Sequence, residues 1–245
     1  MEEKALSFEL DFLKKNKYCF VDLENYRDSI NYFFDIVDKT WDDPPKIINR
    51  LSKEGYTKYD GPSLYNVLYA SEFDDNYVKK MRDFLIELGI RNKLKDLLSS
   101  NVGVCNIRAY RFTHDPPKEK THYLDNLDQN HSFNPHTDGL LPGSLKFMMF
   151  RNPLGEELTL DNGCLEIKPR SRWIPITGKS AIGVIFPPNI VEHRALRPQP
   201  NMVRDAIEVT IIKRIPDDFL VESSGAHAGY PKNLDLWNKK LDTLL

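Results

Sequence analysis

Only three cysteines occur among the 245 residues. Cys19, Cys105 and Cys164 are widely spaced and odd in number, which argues against a disulfide framework and fits a reducing compartment. Charge of one sign is missing too. Lys and Arg total 34 against 36 for Asp and Glu, so no bulk attraction to nucleic acid or to an anionic membrane is expected. No window approaches eighteen consecutive apolar residues, which excludes a membrane-spanning helix. Internal repeats, low-complexity tracts and interdomain linkers are absent. The stretch Met1-Glu2-Glu3-Lys4 is acidic and leads into no unbroken apolar run, so the expectation is a chain without a signal peptide, cytoplasmic in location.

What is present is an ordinary soluble composition, 40% hydrophobic and 29% charged, with enough chain to bury a substantial core. A single domain over 1–245 is expected, because β-barrels and sandwiches of this size are routinely single. Residues 1–102 read as a mostly helical buttress. A short helix over 5–15 precedes a brief strand over Tyr18–Val21. Tyr26 to Trp41 carries apolar residues at helical spacing and is stopped by Pro44-Pro45. A polar, turn-rich stretch from Lys46 to Leu68 follows. The longest helical stripe runs from about Asp75 to Leu98, with a break at Gly89.

From Gly103 the periodicity turns from helical to alternating, and residues 103–215 read as a β core. Asn106, Arg108, Tyr110 and Phe112 share one side of a strand. Residues 113–133 form a long polar insert containing His114, His122 and His131, which fits either a solvated loop or a lid. His227 lies in a Ser/Gly-rich segment, and 216–245 reads as a C-terminal extension with a short helix near Leu234–Leu241.

The stretch from Asn134 to Arg204 organises the rest. His136-Thr137-Asp138 places two ligand types at i and i+2, which point to the same side of an extended chain. By itself such a pair also fits a surface turn. With His193 the set becomes two imidazoles and one carboxylate, the donor set of the facial triad that holds iron(II) and leaves positions open. Beyond it, Arg204, Ala206, Glu208 and Thr210 fall on one side of a strand, with Ile207, Val209 and Ile211 on the other. The polar and small side is expected to face the barrel interior, and the apolar side to pack beneath the N-terminal helices.

Between these residues run Leu145–Phe150, Gly163-Cys164-Leu165-Glu166-Ile167-Lys168-Pro169 and Gly178–Phe186. In this order the segments resemble the phytanoyl-CoA hydroxylase-like branch of the iron(II)/2-oxoglutarate-dependent oxygenases, over roughly residues 104–213. The resemblance implies a double-stranded β-helix of the jelly-roll or cupin-like kind, an α+β fold with a mainly β core buttressed by helices. It implies Fe(II) on His136, Asp138 and His193, with 2-oxoglutarate and O2 as cosubstrates and a small-molecule substrate. Arg204, eleven residues past His193, would hold the C5 carboxylate of 2-oxoglutarate. Asn106 and Tyr110 would touch the same molecule, with Thr210 or Tyr110 as the second contact to that carboxylate. In the family, decarboxylation of 2-oxoglutarate to succinate yields an oxidant for unactivated C–H bonds. Asp138 stands where halogenating relatives carry Gly or Ala, so hydroxylation, desaturation or ring formation is favoured over halogenation.

Where the family commonly shows Gly-Ser-His after the Pro of the Gly-x-Leu strand, this chain has Arg170-Ser171-Arg172. Together with Lys168, Arg194 and Arg197 these fit an anionic substrate, for example a phosphorylated or nucleotide-linked sugar. They also fit a solvated basic strand end balanced by Glu156, Glu157 and Asp161. Two other functional readings stay open: a cupin-like metal enzyme that does not use 2-oxoglutarate, and a non-catalytic module binding 2-oxoglutarate or a sugar. The first gives Arg204 no purpose, and an alternative for that residue is a salt bridge to Asp205 or Glu208. The second has no need of three ligands at this geometry.

Overall fold

The computed structural model describes residues 9–41, 66–69, 75–98, 102–114, 133–138, 140, 143–179 and 181–213. His122, His131, His227 and the expected C-terminal helix lie outside them. The first helix, α1 (Leu10–Asn16), stops where Lys17 adopts a left-handed conformation (φ 66) and returns its N–H to the Leu13 carbonyl. Strand β1 (Cys19–Asp22) follows, then a 3-10 turn over Glu24–Tyr26 leads into α2 (Arg27–Trp41). The long apolar stripe resolves into α3 (Asp75–Glu87) and α4 (Ile90–Leu98). They are separated at Gly89, whose φ of 65 lies in the region where a glycine meets no Cβ penalty. Tyr77, Met81, Phe84 and Leu85 recur at three- and four-residue spacing along α3, Leu88 continues the row just past its end, and all are buried. The Phe33 ring of α2 meets Tyr77 and Phe84 edge-on at 5.3 and 5.4 Å.

The strands form antiparallel sheets. The larger has the order β1-β9-β4-β11-β3-β2, built from β9 (Ile182–Phe186), β4 (Leu145–Arg151), β11 (Val203–Lys213), β3 (Val102–Thr113) and β2 (Asn66–Tyr69) besides β1. The smaller has the order β10-β6-β7, from β10 (Glu192–Ala195), β6 (Leu165–Lys168) and β7 (Ile174–Pro175). A two-stranded ribbon pairs β5 (Glu157–Leu158) with β8 (Gly178–Lys179). Strand β2 falls in the stretch expected to be polar and turn-rich. Four residues are too few to show alternation, and the strand is an edge fixed by its partner, with Asn66 opposite Arg111 and Tyr69 opposite Arg108.

Two buried clusters lie on opposite faces of the larger sheet. One joins Ile207, Val209, Ile211, Phe147 and Met149 to the helices. The other joins Ala206, Met148, Phe150, Val184 and Phe186 to Leu165, Ile167 and Ala195 of the smaller sheet. The alternation expected along β11 is therefore realised, with the apolar side under the helices and the Ala206 side between the sheets. An ion network centred on the buried Asp205 fastens α2 to this wall. Asp205 of β11, fully buried, accepts from Arg111 Nε and Arg151 Nη2, both at 2.8 Å. Both arginines also reach Asp38 of α2 at 2.7 Å. Among the described residues no helix is long and apolar enough to cross a membrane.

Candidate metal centre

His136 and His193 form an isolated antiparallel bridge. Each backbone N–H donates to the other's carbonyl, at 3.1 and 2.9 Å. Residues directly opposite in such a pair carry their side chains on the same face, and the two imidazole centroids lie 4.4 Å apart. Asp138, two residues on from His136, turns to that same side, and its N–H is anchored on the Pro188 carbonyl at 2.9 Å. His193 is itself placed by β10, where it pairs with Ile167 of β6. Ligands far apart in sequence thus meet because one short bridge closes the loop before β4 onto the smaller sheet.

The imidazoles are oriented as ligands. His136 Nδ1 lies 2.8 Å from the Asn134 carbonyl, and His193 Nδ1 lies 3.1 Å from that of Val191. A carbonyl can only accept, so each Nδ1 carries a proton, and Nε2 is the nitrogen whose lone pair the neutral ring offers to a metal. Such a bond from the far nitrogen is the usual support of a metal-ligating histidine. The two Nε2 atoms lie 3.7 and 3.6 Å from Asp138 Oδ1. The three ligand atoms all fall within 4.8 Å of one another. Closing each Nε2–Oδ1 pair from 3.7 and 3.6 Å to about 3 Å would reach the edge of an octahedron with bonds of about 2.1 Å. The donor set and its orientation fit a first-row divalent ion.

The electrostatics suit that task. Burial opposes ionisation of Asp138, but the neighbouring His193 ring and the charge of Lys146 outweigh it and hold the carboxyl well below its ordinary range. Burial pushes His136 below the usual imidazole value, with the neighbouring His193 adding to the effect, which favours the neutral, ligating form.

Arg204 lies on the inner face of β11 and is 2% exposed. Its Nη1 donates to the Gly163 carbonyl, and its guanidinium carbon sits 4.3 Å from the centroid of Phe112 and 5.8 Å from that of Phe150. Its Nε has no hydrogen-bond partner among the described residues. Burial pulls this guanidinium down to about 10. The carboxylates considered as its partners are engaged elsewhere: Asp205 by Arg111 and Arg151, Glu208 by Arg108 and Lys146. Gly163 takes its place in this arrangement for a steric reason. At φ +72 a Cβ there would lie 2.4 Å from the Leu196 carbonyl oxygen and 2.5 Å from Pro198 N.

The other residues singled out by sequence fall as follows. Asn106 pairs with Thr210 and Tyr110 with Ala206 across β3 and β11, so both belong to the strand flanking Arg204. Their side chains are outside the description. Thr210 is buried on the inner face and donates its hydroxyl to Glu208 Oε1 at 3.1 Å. His114 Nδ1 meets the Pro198 carbonyl at 2.7 Å, tying the start of the polar insert to the turn before β11. Sequence reasoning passed over Lys146, Arg108 and Glu208 as members of the site. Lys146 Nζ lies 2.5 Å from Asp138 Oδ2 and 3.2 Å from Glu208 Oε2. The available signal was a single lysine inside the otherwise apolar run of β4.

No protein-family model matches the chain, and no curated protein matches it by sequence. Solved structures do match. EctD from S. alaskensis, with bound Fe, aligns at TM-score 0.56 and 12% identity, covering 83% of this chain and 75% of that one. The non-heme alpha ketoglutarate dependent carbocyclase SnoK from nogalamycin biosynthesis aligns at TM-score 0.51 and 13% identity over 83% of each chain. The epimerase SnoN, in complex with Fe3+, alpha ketoglutarate and nogalamycin RO, aligns at 0.51 and 10% over 91% of each. The fold is shared with iron- and 2-oxoglutarate-dependent enzymes. At these identities the likeness concerns the fold, and the chemistry has to be argued from the site.

Proposed function

We propose that the protein is a non-haem iron(II) and 2-oxoglutarate-dependent oxygenase, and that its two sheets are the walls of a double-stranded β-helix. His136, Asp138 and His193 would hold the metal. The observation that carries the choice of 2-oxoglutarate is Arg204, a buried guanidinium whose candidate carboxylate partners are both taken by other cations. A planar guanidinium binds a carboxylate through two parallel bonds, and the C5 carboxylate of 2-oxoglutarate is the partner we assign to it. Phe112 and Phe150 keep that end dry, and the Gly163 carbonyl fixes the rotation of the fork. Tyr110, Asn106 and Thr210 line the strands beside it and are proposed as further contacts. A metal enzyme without 2-oxoglutarate would leave this guanidinium with no role.

When bound, the iron and 2-oxoglutarate supply oxidation of a substrate C–H bond, with release of succinate and carbon dioxide; the protein positions the reactants and excludes water. Asp138 fills the carboxylate position, which favours hydroxylation or a related oxidation over halogenation. The substrate is proposed to be a small polar molecule such as a sugar derivative. A phosphorylated one draws less support from the basic strand ends. Lys168 pairs with Glu192 at 2.9 Å and Arg194 with Glu166 at 2.8 Å, while Arg194 stacks on Trp173 at 4.5 Å. Their balancing acids are thus Glu166 and Glu192, across the strand pair, and not the Glu156, Glu157 and Asp161 considered from sequence.

The test is incubation of anaerobically iron-loaded protein with labelled 2-oxoglutarate, then admission of air, alone and with a panel of small polar metabolites. Succinate release that depends on iron and rises with one substrate is expected. None under any condition, from protein that holds iron, would return the choice to the metal enzyme that does not use 2-oxoglutarate.

A further inference from the structure

A lysine is out of place in β4, whose residues from Leu145 to Phe150 are otherwise apolar and all buried. Lys146 lies on the inner face with Met148 and Phe150, and its ammonium reaches a carboxylate on either side, Asp138 Oδ2 at 2.5 Å and Glu208 Oε2 at 3.2 Å. Arg108 holds the other oxygen of Glu208. The two oxygens of Asp138 are thereby divided. Oδ1 faces the Nε2 atoms of His136 and His193 at 3.7 and 3.6 Å, and Oδ2 faces Lys146.

We propose that Lys146 is a positioning residue that restricts Asp138 to metal ligation through Oδ1 alone. The inference rests on the metal-centre reading above and deepens it. An unrestrained aspartate can chelate a first-row ion with both oxygens and so consume an extra coordination position. Three single-atom protein ligands on a six-coordinate ion would leave three positions open to cosubstrates. A second oxygen from Asp138 would remove one of them. A short, charge-assisted bond engages the lone pairs of Oδ2 and sets the rotation of the carboxylate. Glu208 offsets the ammonium charge, so that the metal does not face an uncompensated cation, and with Arg108 it fixes where Nζ can sit. A methionine at 146 would fill the same strand position, so packing alone does not require a lysine there.

The experiment uses full-length protein stripped of metal and reloaded with cobalt(II), whose visible absorption reports coordination geometry without turnover. Lys146→Met, Lys146→Arg and the double variant K146M/E208Q are compared with the wild type, with circular dichroism as the check on folding. The double variant removes both charges of the buried pair and serves if the single one leaves Glu208 unpaired and unfolds. Lys146→Arg should share the wild-type cobalt spectrum. The neutral variants should show a shifted spectrum, bind cobalt(II) at least threefold more tightly, and lose more than tenfold in 2-oxoglutarate affinity. Superimposable cobalt spectra in all the folded proteins would overturn the proposal, because Lys146 would then leave Asp138 once the metal arrives. Wild-type protein that binds cobalt but no 2-oxoglutarate would sink the cosubstrate reading alone, and the cobalt spectra would still decide the role of Lys146. Wild-type protein that takes up no cobalt would overturn both.

Discussion

At the scale of single residues, the interior of the site is built from charges that are each answered, with Arg204 set apart. On the proposed function, removing that guanidinium takes away the anchor of the 2-oxoglutarate carboxylate and nothing from His136, Asp138 and His193. Arg204→Leu is therefore expected to weaken 2-oxoglutarate binding more than tenfold, in line with the roughly 2–5 kcal/mol typical of a truncated buried charge pair. Iron(II) affinity should stay within about threefold. Arg204→Lys keeps the charge but loses the fork, and should fall between the two. Isothermal titration on metal-loaded protein checks all three. Glu208 makes a different prediction. Burial alone would raise its carboxyl, but Arg108 and Lys146 bring it from 4.5 down to about 2. A depressed folded-state value means that the ion pairs contribute fully above pH 4.5 and are lost as the pH falls toward 2. Glu208→Gln should cost roughly 3 kcal/mol at neutral pH, and its deficit relative to wild type should shrink on acidification through that window. Urea unfolding at pH 7 and near pH 3 tests this, and a constant gap would contradict it.

Secondary-structure elements explain how the site is positioned and how much of it could be read in advance. The clustering of His136, Asp138 and His193 was legible because i, i+2 geometry on an extended chain is local, and because His193 ends an approach by an apolar strand. The Gly89 break and the two faces of β11 were legible because both are local, the one a glycine at positive φ and the other periodicity within one strand. The Lys146–Glu208–Arg108 chain was not, because its members sit on three strands and meet only through register, with Glu208 opposite both Arg108 and Met148. Strand β2 escaped notice because its pairing, and not its own pattern, makes it a strand. The turn before β6 carries its own prediction. Gly163→Ala must place a Cβ 2.4 Å from the Leu196 carbonyl at a positive φ. The conformation alone costs about 1–2 kcal/mol, and relief of the clash moves the carbonyl that fixes Arg204. A lower melting temperature together with weaker 2-oxoglutarate binding is expected. Loss of stability with unchanged binding would separate the turn from the anchor.

For the whole molecule, the larger sheet is a wall with helices behind it and the metal site in front. The helices are fastened to the wall where Asp205 and Asp38 share Arg111 and Arg151. Asp205→Asn leaves two arginines short of charge in a buried setting and should destabilise the protein by roughly 3 kcal/mol. Combined with Asp38→Asn the effects should be strongly non-additive, since both carboxylates serve the same cations. Denaturant unfolding of the four-protein cycle measures that coupling, and simple additivity would show that the helix and the sheet do not depend on each other there. In front of the wall, the proposed function turns on one arrangement: His136, Asp138 and His193 as the ligands of iron(II), and Arg204 as the anchor for the far end of 2-oxoglutarate. Anaerobic addition of 2-oxoglutarate to the iron(II)-loaded protein, followed through the metal-to-ligand charge-transfer band, reads both at once. A saturable band is predicted, absent in His193→Ala and shifted to more than tenfold higher concentration in Arg204→Leu. Wild-type protein that binds iron(II) yet develops no band, or an Arg204→Leu curve that overlays the wild type, would contradict it.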